Sequence, residues 1–198
     1  MQTLSNKILG CAIGLPEGAL LVAKELLHLG NRAAVGQALS RLAQRGDLLR
    51  VSRGNYVLPI KSRFGSRAPS VGKVLDNLAK QCGEIIVPHG ATSANALGLT
   101  TQVPMRAIYL TSEPSRRLKL GAQTVELRHA PRWQLIYPGR AAGDIVRILA
   151  WLGPDKASKA IRSLRAKLPY LEFSEIISTR ARLPSWMKQE IAALVPHE

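Results

Sequence analysis

The stretch from Asn31 to Tyr56 constrains this chain more than any other part of it. Asn31 is a strong helix N-cap, and Val35, Ala38, Leu39 and Leu42 follow at the spacing that lays one apolar stripe along a helix over 31–45. Gly46 supplies the stop. Leu49 and Val51 then alternate with Arg50 and Ser52, Arg53-Gly54-Asn55 supplies turn chemistry, and Tyr56-Val57-Leu58 reads as a returning strand that Pro59 ends. A helix followed directly by a glycine-tipped basic hairpin leaves few folds to choose from.

Upstream, residues 5–14 read as a short helix ended by Gly14 and Pro16. Val22, Ala23, Leu26, Leu27 and Leu29 recur at helical spacing and predict a second helix over 19–29, stopped by Gly30. Three short helices, the last two tightly joined, and then a hairpin describe a winged helix-turn-helix over residues 1–60. Burying the stripe of the third helix turns Ala33, Gln37, Ser40 and Gln44 outward. Gly36 and Arg41 flank that face, and Arg32 stands in the first turn. A slim polar face fits a DNA major groove, where glutamine pairs bidentately with adenine and arginine grips guanine or phosphate. Gln37 is the expected base reader. Arg50, Ser52, Arg53 and Asn55 lie at or near the hairpin tip, where a wing meets the backbone or minor groove. The same fold also serves as a protein-interaction module without nucleic acid, and these residues leave that alternative open.

Charge favours the nucleic acid. The 198 residues carry 28 Lys and Arg against 13 Asp and Glu, a net +15 with a sequence pI near 10.6. Residues 1–64 hold nine basic and three acidic side chains, and the longest basic run is Arg116-Arg117. The charge therefore belongs to a folded surface and not to a basic tail, and such a surface attracts polyanions. With 46% hydrophobic residues the chain is long enough for one domain, or for a small module joined to a second one.

Residues 61–69, rich in basic and turn-forming types without apolar periodicity, read as a basic linker. An α+β domain over 70–198 follows, with a helical C-terminal region. Ser70 caps a helix whose Val71, Val74, Leu75, Leu78, Ala79 and Cys82 share a face. Strands are expected at 84–87, 107–110, 125–128 and 134–137, and helices at 92–97, 145–152, 156–168, 172–179 and 186–194. Arg116, Arg117, Lys119, Arg128 and Arg132 are candidates for a second basic patch, facing DNA or an acidic partner. His89, Thr92, Ser93 and Asn95 fit either a small pocket or ordinary caps and turns.

Two runs resemble a known family. Gly46-Asp47-Leu48-Leu49-Arg50-Val51-Ser52-Arg53-Gly54-Asn55-Tyr56 is similar to the wing of AbiEi-type antitoxins, and Ser93-Ala94-Asn95-Ala96-Leu97-Gly98-Leu99-Thr100-Thr101-Gln102-Val103-Pro104 resembles a segment of their second domain. The resemblance implies a bifunctional protein of a bacterial type IV toxin–antitoxin or phage-abortive-infection pair. Its N-terminal domain would repress the operon, and its C-terminal domain would counter a nucleotidyltransferase-like toxin. The expected partners are duplex DNA of its own operator, the cognate toxin, and a second copy of the chain on DNA.

Enzyme chemistry has little to stand on. Between residues 77 and 143 the acidic residues are Glu84, Glu113 and Glu126, too sparse for a metal-hydrolysis centre. His28, His89, His129 and His197 are scattered, and no nucleotide-binding fingerprint occurs, so neither catalytic residues, metal nor cofactor are expected. The alternative that the protein modifies its toxin, by phosphorylation for example, stays open. Cys11 and Cys82 match no metal or redox spacing, which fits a reducing cytoplasm. No apolar run approaches a membrane span, and no membrane partner is expected.

Overall fold

The N-terminal helix α1 (Leu4–Ile13) begins where the Thr3 hydroxyl accepts the Asn6 amide at 3.3 Å, and it buries Ile8 and Ala12. The computed structural model describes residues 3–63, 65–101, 106–165, 170–178 and 180–192. They form an α+β fold in two compact units: Met1–Glu84 with Arg116–Glu126, and Ile85–Ser115 with Leu127–Glu198.

In the first unit α1 is followed by the short strand β1 (Leu21–Val22), helix α2 (Arg32–Gln44) and the hairpin β2 (Leu49–Ser52) and β3 (Asn55–Val57). The three strands pair antiparallel in the order β1-β3-β2. The helix expected over 19–29 does not form. Leu21 and Val22 pair with Tyr56 and Asn55, and residues 23–29 run as successive turns closed by i+3 bonds, Glu25 to Val22 and Leu29 to Leu26. Leu21 and Leu26 still face inward, joining Ile8, Leu39, Leu42 and Leu48 in one core, while Leu27 is exposed. Pairing with the distant strand β3 outcompetes a short helix that would gain only a few internal hydrogen bonds.

The segment expected as a linker over 61–69 is also structured: β4 (Ile60–Ser62) and β5 (Gly65–Arg67) pair as a small hairpin. Helix α3 (Val71–Cys82) follows, capped by the Ser70 hydroxyl on the Lys73 amide, with Val74, Leu75 and Leu78 buried. The expected apolar face narrows to those three, and Cys82 stands exposed. Helix α3 belongs with the residues before it. The Gln81 carboxamide exchanges two 3.1 Å hydrogen bonds with the Leu20 backbone, Asn77 donates to the Glu17 carbonyl, and Lys73 pairs with the Glu17 carboxylate. The first unit thus runs past residue 60 to Glu84, where the expected boundary falls inside it.

The second unit starts with β6 (Ile86–Pro88), helix α4 (Gly90–Ala96) and β7 (Ala107–Thr111). Strand β8 (Arg116–Leu120) and strand β9 (Gln123–His129) complete a sheet in the order β6-β7-β9-β8. Strand β8, not expected from the sequence, buries Leu118 and Leu120 on one face and exposes Arg117 and Lys119 on the other. It lies with β2 in the first unit, and β9 passes from one unit to the other, residues 123–126 in the first and 127–129 in the second.

The strand expected over 134–137 is a 3₁₀ turn (Arg132–Gln134) and a bend in which Tyr137 adopts φ 47°. The physical reason is a side chain. The buried Arg147 guanidinium, on helix α5 (Ala141–Leu152), takes the carbonyls of Gln134 and Ile136, leaving neither for a ladder. Helices α6 (Pro154–Arg165) and α7 (Tyr170–Ser178) pack on α5, α8 (Ser185–Ala192) packs on α6 and α7, and together they bury Ile145, Leu149, Ile161, Leu164 and Met187. The expected helix ends at Leu168, Thr179 and Leu194 lie outside the described residues. Among the described residues no helix is long and apolar enough to cross a membrane.

Candidate functional site

The helix α2 is built as its sequence requires. The Asn31 Oδ1 accepts the Ala34 amide at 2.8 Å, and Val35, Ala38, Leu39 and Leu42 are buried. That burial leaves Arg32, Ala33, Gln37, Ser40, Arg41 and Gln44 exposed along the opposite side, where with Gly36 they line a shallow depression. The structure therefore brings the expected helix residues onto one continuous surface.

The hairpin beside it is shaped by its own polar residues. Gly54 sits at φ 77°, the left-handed conformation that a turn tip demands of one residue and that a β-carbon disfavours. The Asn55 amide donates to the Ser52 hydroxyl at 2.9 Å, and the register shifts between Arg50 and Ser52. Ser52 and Asn55 are half-buried, holding the tip in shape, while Arg50 and Arg53 are exposed. The Ala23 amide donates to the Gly54 carbonyl at 2.8 Å, which ties the turn segment to the tip.

Between the turn segment, α2 and the hairpin lies a cleft of about 690 Å³. Arg32, Arg50 and Arg53 line it, and so does Lys24, a residue the sequence reading did not single out. Lys24 was hidden because the helix expected over 19–29 gave it no special place. Among the described residues, Lys24, Arg32, Arg41, Arg50 and Arg53 form no ion pair, whereas Arg45, Lys73, Arg116, Arg140 and Arg147 each hold a carboxylate. Unpaired cations gathered on one surface repel each other and create an anion-seeking field.

The second basic patch is not assembled within one unit. Arg116, Arg117 and Lys119 lie in the first, and Arg128 and Arg132 in the second. Arg116 is moreover committed to the buried Glu84 carboxylate.

In the second unit the residues around His89 act as structure. The His89 Nδ1 accepts the Ala91 amide at 3.3 Å, capping α4, and burial, with Arg128 adding to it, holds this imidazole below its ordinary value. The Ser93 hydroxyl donates to the Asp144 carboxylate at 2.7 Å, and the same oxygen accepts from Arg147 at 2.9 Å. Burial pushes the Arg147 guanidinium down from its usual value, and Asp144 opposes that shift. Asn95 donates to the Thr100 carbonyl at 3.2 Å, while Gln102, Val103 and Pro104 of the same run lie outside the described residues. Among the described residues, no three His, Cys, Asp or Glu side chains gather as a metal site would require.

No curated protein matches the chain, and no solved structure does. One family model does, over residues 7–169, and by that match the chain belongs to a family of unknown function, DUF6088.

Proposed function

We propose that this protein is a DNA-binding transcriptional repressor of its own operon and the antitoxin of a type IV toxin–antitoxin pair. Residues 1–60 act as a winged DNA-binding module in which the turns at 23–29 stand where a helix-turn-helix has its first helix, with α2 in the major groove and the β2–β3 hairpin on the flanking backbone. The observation that carries this reading is the set of five unpaired cations, Lys24, Arg32, Arg41, Arg50 and Arg53, around the exposed face of α2 and the hairpin tip. The placement of α2 directly before an antiparallel hairpin supports it, since that brings a helix and a wing side by side. The antitoxin role rests on the resemblance of the hairpin and the 93–104 run to AbiEi-type antitoxins.

Gln37 projects from the middle of the exposed face and reads a base, whereas Arg53 at the tip grips phosphate. The test is gel-shift titration of the whole protein on its own promoter fragment and on scrambled duplexes. Gln37→Ala is expected to lose about 1–3 kcal/mol of discrimination at one base pair. Arg53→Ala is expected to weaken all duplexes alike and to reduce the salt slope by about 1. A wild-type protein that ignores promoter DNA at low salt overturns the repressor reading. The antitoxin reading is tested by co-expression with the product of the neighbouring gene, where failure to restore growth overturns it.

A further inference from the structure

The cleft beside α2 carries two kinds of surface at once. Its rim holds Lys24, Arg32, Arg50 and Arg53, and among the described residues no carboxylate lines it. Its accessible apolar side chain is Leu27, which is 46% exposed; Val35, Leu39 and Tyr56 lie beneath the surface and are almost wholly buried. The hydrogen bond from the Ala23 amide to the Gly54 carbonyl ties the turn segment to the hairpin tip.

A phosphate backbone needs the rim and gains little from Leu27. A ligand with a flat apolar body and one anionic group satisfies both, since it covers Leu27 while its charge meets the unpaired cations. We propose that this cleft binds an organic anion, an aromatic ring system bearing a carboxylate, sulfonate or phosphate, and that its occupancy excludes duplex DNA. The binding step stands apart from the repressor reading, and the exclusion step rests on it, because the ligand and the duplex would share Arg32, Arg50 and Arg53.

The probe is 1-anilinonaphthalene-8-sulfonate, titrated into the full-length protein and followed by its fluorescence. One saturable site is expected, displaced by naphthalenesulfonate but not by inorganic sulfate at equal concentration. Leu27→Asp and, independently, Arg53→Gln are expected to weaken binding about tenfold or more, with circular dichroism confirming that each variant is folded. Ile13→Asp, at an apolar residue exposed outside the cleft, is expected to leave binding unchanged. Binding indifferent to Leu27→Asp and Arg53→Gln, or displaced equally well by sulfate, overturns the site. Promoter duplex is expected to displace the probe, and simultaneous binding of both overturns the exclusion. A protein that binds the probe in this way yet ignores duplex keeps the site and loses the repressor reading.

Discussion

His89 caps helix α4 with a ring nitrogen that must stay unprotonated to accept the Ala91 amide. Its folded pKa lies below the ordinary 6.5, so between the two values the unfolded chain binds more protons than the folded one. Stability from this group is complete above pH 6.5 and is lost as the pH falls through that window. Denaturant midpoints measured from pH 7.5 down to 5 are expected to decline, and His89→Asn, a cap that does not titrate, is expected to flatten the decline. At the same scale, what could be read in the sequence depended on local context. Gln37, Arg41 and Gln44 are legible because the stripe of Val35, Ala38, Leu39 and Leu42 fixes which side of the helix they occupy. Lys24 is not, because its place on the cleft follows from the bond between Ala23 and Gly54, a contact that no local pattern encodes.

Among the elements, α2 and α4 show where stability is concentrated. Asn31→Ala removes the acceptor for the Ala34 amide and is expected to lower stability by about 1 kcal/mol in chemical denaturation. Gly90, the first residue of α4, meets α5 so closely that a β-carbon there would overlap the Arg147 carbonyl and crowd the Trp151 side chain. Because the obstacle is backbone, Gly90→Ala is expected to destabilise the protein by about 2–3 kcal/mol, read from the same denaturation curves. The elements legible in the sequence, α1, α2, α3 and the β2–β3 hairpin, have their caps, stripes or turn residues within a dozen positions of one another. Those that were not are decided at a distance. Residues 19–29 carry a helical spacing but are drawn into pairing with β3, and residues 134–137 carry strand-forming types but give their carbonyls to Arg147. Strand β8 was missed because its charged members, Arg117 and Lys119, obscure the alternation that Leu118 and Leu120 complete.

Over the whole molecule the charge divides unevenly. The first unit holds fifteen basic and six acidic residues, a net +9, and the second thirteen and seven, a net +6. Promoter affinity built on the four or five unpaired cations around α2 is expected to fall roughly 10²- to 10³-fold between 50 and 200 mM salt. A fluorescence anisotropy titration across that range measures it, and a flat response would remove those cations from the interface. The α+β class was legible in the composition and in the succession of short strands and helices, but the partition into units was not. Residues 61–69 look like a tether by composition alone, and only the bonds from Glu17 and Leu20 to α3 attach that helix to what precedes it.

The polypeptide changes units at Glu84, Ser115 and Glu126, so neither unit is one uninterrupted length of chain. A stop codon before residue 126 deprives the cationic half of its closing ribbon, and no single protease nick separates the halves intact. A gene rearrangement that moved the whole first unit onto another effector would have to carry the codons through Glu126, and with them most of what lies between its two segments.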